Sequence, residues 1–153
     1  MIHEMRRVDR KLTDAETKQL LVTGEYGILA TVDTNGCPYG VPVNYAYAEG
    51  SIYFHCAKDV GHKYENILHN PKVCFTVVGN TEVLPDKFTT KYTSVIAFGT
   101  AKSATDKRKA LQLLVEKYSP DFMKKGQLYI EHDIDTVGVY EIKVEHMTGK
   151  GHK

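Results

Sequence analysis

A chain of 153 residues, 42% hydrophobic and 25% charged, has the size and balance of one globular domain over residues 1–153, and disordered and fibrous classes are excluded. Its formal net charge of +1 lacks the excess of Lys and Arg that grips a phosphate backbone, so nucleic acid is not an expected partner. No stretch approaches the ~20 apolar residues of a membrane span, and Met1 to Arg7 is followed by no apolar signal region, so a cytoplasmic protein is expected.

The first element is announced by Thr13-Asp14-Ala15-Glu16, a capping-box spacing that predicts a helix running to Gly24 with Leu20 and Leu21 facing a core. Tyr26 to Val32 and Tyr39 to Tyr47 are rich in apolar and β-branched residues, and the turn-forming Asp33-Thr34-Asn35-Gly36 between them predicts a β-hairpin. A turn at Glu49-Gly50 leads into Ser51 to Cys56, where Ile52, Phe54 and Cys56 share one face, extending the hairpin to a three-strand meander. Pro42 cannot donate to a sheet ladder. The backbone of Val41-Pro42-Val43 is therefore expected at an edge or a bulge, with its polar groups free for other use.

After a loop over Lys58 to Gly61, His62 to Asn70 reads as a short helix stopped by Asn70-Pro71. Val73 to Val78 is a fourth strand, residues 79–87 a loop, and Thr90 to Ala104 a long fifth strand bent at Gly99, as a barrel corner requires. Thr105 is placed to cap a helix from Asp106 to Tyr118, with Ala110, Leu111, Leu114 and Val115 as its apolar stripe and Ser119-Pro120 as its end. Val137 to Val144 makes the sixth strand, and Glu145 to Lys153 a polar tail. Strands joined mostly by short connections favour a small antiparallel barrel that closes to remove its edges, mainly β with flanking helices.

Among chemistry-bearing residues, Gly61-His62-Lys63 stands where a loop becomes a helix. Free N–H groups and the positive dipole end at such a place favour an anion, Gly61 allows close approach, and Lys63 adds a point charge. Read as plain structure, the same triplet turns the chain and leaves Lys63 in solvent. His55 and His62 lack an HxH, HExxH or carboxylate pair to complete a metal site, so none is expected. His3, His69, His132, His146 and His152 are expected to be solvated or structural. Cys37, Cys56 and Cys74 are odd in number, widely separated and without a CxxC, which disfavours a disulfide framework; Cys56 reads as a small buried hydrophobe. No Walker A motif, Rossmann fingerprint or G-x-S-x-G elbow is present, which removes phosphoryl transfer and serine hydrolysis as favoured classes.

Tyr26-Gly27-Ile28-Leu29-Ala30, Gly40-Val41-Pro42-Val43-Asn44-Tyr45, Ile52-Tyr53-Phe54-His55-Cys56-Ala57, Gly61-His62-Lys63, Ser94-Val95-Ile96 and His146-Met147-Thr148-Gly149-Lys150 together carry a resemblance across nearly the whole chain. The sequence resembles the FMN-binding split barrels related to pyridoxamine 5'-phosphate oxidase, in their nitroimidazole-resistance branch. That resemblance implies a six-stranded antiparallel Greek-key split barrel holding FMN between the subunits of a homodimer. It implies the backbone of Val41, Pro42, Val43 and Asn44 beside the isoalloxazine ring, His55, Cys56 and Ala57 lining the cofactor, and His62 and Lys63 at the flavin phosphate. By the same analogy Tyr92 and Ser94 reach the flavin of the other subunit.

The activity so implied is two-electron transfer from NADH or NADPH through flavin to a small acceptor such as a nitro-aromatic, with His62 as the one candidate proton donor. The alternative is a flavin or haem carrier without turnover, with His55 or His62 available as an axial ligand. Pyridoxamine 5'-phosphate oxidases carry arginine and serine in the phosphate loop and an arginine in the C-terminal substrate segment. This chain has His62 there and Met147-Thr148-Gly149-Lys150 near its end, which points away from pyridoxamine phosphate as substrate.

Overall fold

The computed structural model describes residues 2–153, and Met1 of the charged N-terminal run lies outside them. In chain order the elements are α1 (Asp14–Thr23), β1 (Gly27–Val32), β2 (Pro38–Val43), β3 (Ala46–Ala48), β4 (Ser51–Ala57), α2 (His62–His69), β5 (Lys72–Leu84), β6 (Thr89–Ser103), α3 (Lys107–Tyr118), α4 (Met123–Asp133) and β7 (Val137–His152). The capping box of α1 is formed in both directions, Glu16 N–H donating to Thr13 Oγ1 at 3.2 Å and Thr13 N–H to Glu16 Oε2 at 2.9 Å.

All seven strands lie in one antiparallel sheet in the order β2-β1-β5-β6-β7-β4-β3. Its two end strands, β2 and β3, are consecutive in the chain. The sheet thus closes on itself through the covalent backbone of Asn44-Tyr45 and not through a hydrogen-bonded ladder, which is a barrel with a split. This corrects the predicted meander and raises six strands to seven: Val43 pairs with Gly27 on β1, whereas Ala46 pairs with Tyr53 on β4, on the far side of the split.

The polar groups released at this seam are taken up by α3. Tyr45 N–H donates to the Tyr118 hydroxyl at 3.0 Å, that hydroxyl donates to the Glu25 carbonyl at 2.6 Å, and Lys117 Nζ donates to the Tyr45 carbonyl at 2.9 Å. Tyr45 itself is fully buried, its own hydroxyl donating to the Leu21 carbonyl. Burial pushes the Lys117 ammonium down to about 8, from an unfolded value near 10.4. Because the folded value is the lower one, the burial cost is constant below about pH 8 and is relieved as pH rises towards the unfolded value.

Lys117 Nζ also stands 3.7 Å from the centroid of the Tyr45 ring, which offsets part of that cost. The stability of the wild type relative to Lys117→Met should therefore rise by ~1–2 kcal/mol across the alkaline window. Urea midpoints for both proteins over that range check it, and a flat difference would mean that the ammonium is not desolvated.

Four further differences from the sequence reading have local causes. Residues 79–84, expected as loop, continue β5 past an irregularity between Gly79 and Glu82 and pair with residues 89–91 of β6. The cap of α3 is Asp106, accepting from Lys109 N–H at 3.0 Å, and not Thr105. The predicted polar tail is the second half of β7, paired with β6 from His146↔Phe98 to His152↔Tyr92. α4 was not foreseen. The bend expected at Gly99 is present as a register shift between Phe98 and Gly99, where a Cβ would stand 2.3 Å from the Lys143 carbonyl oxygen.

Two apolar layers result. The barrel interior holds Leu29, Tyr45, Ile52, Phe54, Phe75 and Ile142, all fully buried, and Leu20 and Leu21 of α1 pack onto it. Outside the barrel, Ala110, Leu111 and Leu114 of α3 and Ile130 of α4 cover Ala46 and Val139. No helix among the described residues is long and apolar enough to cross a membrane.

Candidate functional site

The start of α2 is held between the two sides of the split. Gly61 precedes it with φ of 107°, a conformation that favours glycine, and no side chain caps the first turn, so its N–H groups face outward without an internal partner. From one side the His62 ring stacks on Tyr39 of β2 at a centroid distance of 4.0 Å. Deeper, Asn66 Nδ2 donates to Thr31 Oγ1 of β1 at 3.0 Å, both groups buried, and Ile67 enters the barrel core.

From the other side comes the end of β4. The Cys56 thiol is pushed up by burial, an effect that the charge of Lys63 partly opposes. The His55 imidazole is pushed down by burial first and by the Lys63 ammonium second. Lys63 thus acts on both residues.

Of the predicted site residues, the structure gathers His62 and Lys63 with His55 and Cys56, and Ala57 ends the same strand in an exposed position. Val41, Pro42, Val43 and Asn44 follow Tyr39 along β2 and its exit. Val41 and Val43 point inward against the core, Pro42 and Asn44 outward. As β2 ends the sheet, its backbone groups directed away from β1 have no ladder partner.

Tyr92 and Ser94 are not brought to this place. They lie on β6, with β1 and β5 between it and β2, roughly 14 Å away across the sheet. They belong to a second surface. Register places Pro42, Ile28, Thr76, Ile96 and Thr148 in one outward row and Gly40, Ala30, Cys74, Phe98 and His146 in the next.

Ser94 sits between Val78 and Lys150 on that same face, and the Tyr92 hydroxyl is lowered chiefly by a hydrogen bond to Lys150. Ile28, Val78, Ile96 and Phe98 all remain well exposed there, and Ile96 and Phe98 line a groove of about 380 Å³ with Ile2, His3 and Met5. Ile96 and Phe98 stand in motifs that carry the family resemblance, but the sequence reading gave neither them nor Thr76 a role on an outer face. Their signal was present, because strands whose inward residues are apolar and whose alternate residues are apolar as well have two faces to bury.

A sheet closed at a covalent seam, with flanking helices and an apolar outer face, defines a split barrel. A sequence profile of pyridoxamine 5'-phosphate oxidase matches residues 13–151, and the chain belongs to that family. Among solved structures it is similar to a candidate 5-nitroimidazole antibiotic resistance protein of Bacteroides thetaiotaomicron, at 23% identity over 92% of this chain and 86% of that one, TM-score 0.79.

It is similar also to a FAD-binding protein of Mesorhizobium loti, at 22% identity over 93% and 95%, TM-score 0.64. A FAD and haem binding protein of Mycobacterium smegmatis aligns at 15% identity over 94% and 74%, TM-score 0.81. At these identities the likeness is one of fold. None of the curated proteins matches the chain.

Proposed function

We propose that the chain binds FMN between two copies of itself and acts as an oxidoreductase that passes electrons from NADH or NADPH to a small acceptor such as a nitro-aromatic, in the cytoplasm. The observation that carries this reading is the uncapped, positive-φ entry to α2 with Lys63 in its first turn, set beside the open edge of β2. The residues fit the group. A phosphate suits the free N–H groups of residues 62–64 and the Lys63 ammonium, and the unpaired backbone of Gly40 to Asn44 suits the hydrogen-bonding edge of a flavin ring. When bound, the flavin would supply the two-electron chemistry, taking a hydride from the nicotinamide and a proton from solvent and giving two electrons and two protons to the acceptor.

The protein's own residues bind and orient. Tyr39 holds the His62 ring by stacking beside the phosphate position, where His62 is the candidate to move a proton. Lys63 neutralises phosphate charge, and His55, Cys56 and Ala57 form the wall behind it. The outward face of β1, β5, β6 and β7 supports a homodimer, in which Tyr92 and Ser94 of one copy complete the site of the other; three free thiols suit a reducing compartment. The resemblance of fold to a candidate nitroimidazole resistance protein supports the acceptor class.

The test is the absorbance spectrum of the purified protein before and after FMN is added and the excess removed, with NADH or NADPH and then a nitro compound supplied without air. Flavin bands near equimolar with protein, bleached by the nicotinamide and restored by the nitro compound, are expected. Lys63→Ala should weaken FMN by ~1–2 kcal/mol, the size of one charge-assisted contact. Unchanged affinity would take Lys63 out of the site, and FMN-loaded monomers at micromolar concentration would contradict the dimer. A second reading, a haem protein without turnover, draws on His55, whose exposed imidazole has no hydrogen-bond partner among the described residues; a Soret band in place of flavin bands would favour it.

A further inference from the structure

Asn44 leaves β2 exposed, at the end of the backbone that the proposed function lays along a flavin ring, and one peptide joins it to the buried Tyr45. The polar groups of Tyr45 are held from two directions. Its hydroxyl donates to the Leu21 carbonyl of α1. Both of its backbone groups go to the last turn of α3, the N–H to the Tyr118 hydroxyl at 3.0 Å and the carbonyl to Lys117 Nζ at 2.9 Å.

A covalent constraint carries this hold to the open edge. The Asn44–Tyr45 peptide is trans, so the Tyr45 N–H and the Asn44 carbonyl share one plane and point in opposite directions. Fixing the N–H on α3 therefore turns the Asn44 carbonyl away from α3, and no backbone donor among the described residues takes that carbonyl. Tyr118 is itself fixed, because its hydroxyl also donates to the Glu25 carbonyl, two residues before β1. Lys117 is half-buried and joins none of the ion pairs among the described residues. An ammonium that leaves water for a neutral carbonyl and the face of the Tyr45 ring gains little Coulomb energy in return. What it does secure is the direction of the chain at the seam.

We propose that Tyr118 and Lys117 are positioning residues for the flavin: from the last turn of α3 they set the plane of the Asn44–Tyr45 peptide and so aim the Asn44 carbonyl, as an acceptor, at the hydrogen-bonding edge of the ring. The inference rests on the reading of FMN beside residues 41–44. It makes the end of α3 part of the cofactor site without a side chain of α3 at the ring.

The test compares substitutions at the two ends of Tyr45. Tyr118→Phe and Lys117→Met release its backbone, whereas Tyr45→Phe keeps the ring and gives up only the bond to Leu21, and so controls for lost stability. On each variant the FMN dissociation constant, the visible flavin bands and the urea midpoint are measured, together with the carbonyl-carbon chemical shift of Asn44 in protein without cofactor. Tyr118→Phe should weaken FMN by about fivefold, the size of one neutral hydrogen bond, displace the bands and move the Asn44 shift. Lys117→Met should act in the same direction, and Lys117→Arg, which keeps a donor for the Tyr45 carbonyl, should restore wild-type behaviour. Tyr45→Phe should lower the urea midpoint and leave FMN affinity within about twofold.

FMN affinity and bands that are unchanged in Tyr118→Phe overturn the proposal. So does a loss of affinity in Tyr45→Phe equal to that in Tyr118→Phe, since affinity would then follow stability alone; in both cases the flavin reading stands. Should Tyr118→Phe fail to fold, the contrast of Lys117→Met with Lys117→Arg gives the same decision. A wild type that takes up no FMN overturns the flavin reading instead, and the Asn44 shift then decides the rest. Moved by Tyr118→Phe and not by Tyr45→Phe, it keeps α3 as the clamp of the edge; unmoved by both, it removes that role as well.

Discussion

Phe75→Ala is expected to lower stability by about 3–5 kcal/mol, the cost of truncating a fully buried aromatic, which is much of the ~5–15 kcal/mol that holds a domain of this size. Phe75 has no exposed surface, and its ring meets Tyr45 edge to face at 4.9 Å. On its other side lies Gly27, where a Cβ would be 2.2 Å from the ring. The ring therefore joins β5, β1 and the residue that begins the return of the chain across the split. Its loss leaves a cavity against Tyr45, whose position depends on three separate hydrogen bonds and cannot relax freely to fill it. Urea unfolding of the variant should show a lower midpoint with the slope unchanged; a midpoint within error of wild type would mean that the centre of the barrel lies elsewhere.

Thr31→Val ranks second, and it reads out in function as well as in stability. The Thr31 hydroxyl accepts the Asn66 amide inside the protein, so a valine of the same shape leaves a buried N–H without a partner, at a cost of about 1–3 kcal/mol. Because Asn66 anchors α2, the entry at Gly61 to Lys63 loses its fixed position and flavin retention should fall with stability. Replacing both partners, Thr31→Val with Asn66→Leu, removes the orphaned group and should recover part of the melting temperature. A single variant as stable as wild type, or a double variant that is worse than the single one, would assign the anchoring of α2 to Ile67 alone.

How far these features could be read from the residues depended on whether their causes were local. The capping box of α1 and the hairpin of β1 and β2 rest on contacts within four or five residues, and both stand as expected. The proline-marked break in Tyr39–Tyr47 was visible, but its consequence was not. That β2 and β3 go to opposite ends of the sheet is decided by β5, β6 and β7, which lie far along the chain. The second half of β7 was hidden because two of its three inward positions, after Met147, are Gly149 and Gly151, where a Cβ would press on Thr17 and Leu12, so little apolar alternation marks the strand.

α4 was hidden for a related reason, a glycine in mid-helix that propensity counts against and packing requires. For the site, His55, Cys56, His62 and Lys63 were legible as a cluster only through the family resemblance. Their spacing along the chain says nothing of the approach of Lys63 to the end of β4.

The place of β7 in the sheet also governs how the protein comes to be made. It pairs with β6 on one side and β4 on the other, joining two halves that touch through no other strand except at the seam. A growing chain can form the β1–β2, β3–β4 and β5–β6 hairpins early, because each is local. Until residues 137–152 have left the ribosome, however, β4 and β6 each keep an unpaired edge, and the barrel stays open as two ribbons. Those edges are the natural point of association between nascent copies, so chaperone capture or aggregation during synthesis should end abruptly once the final strand is available.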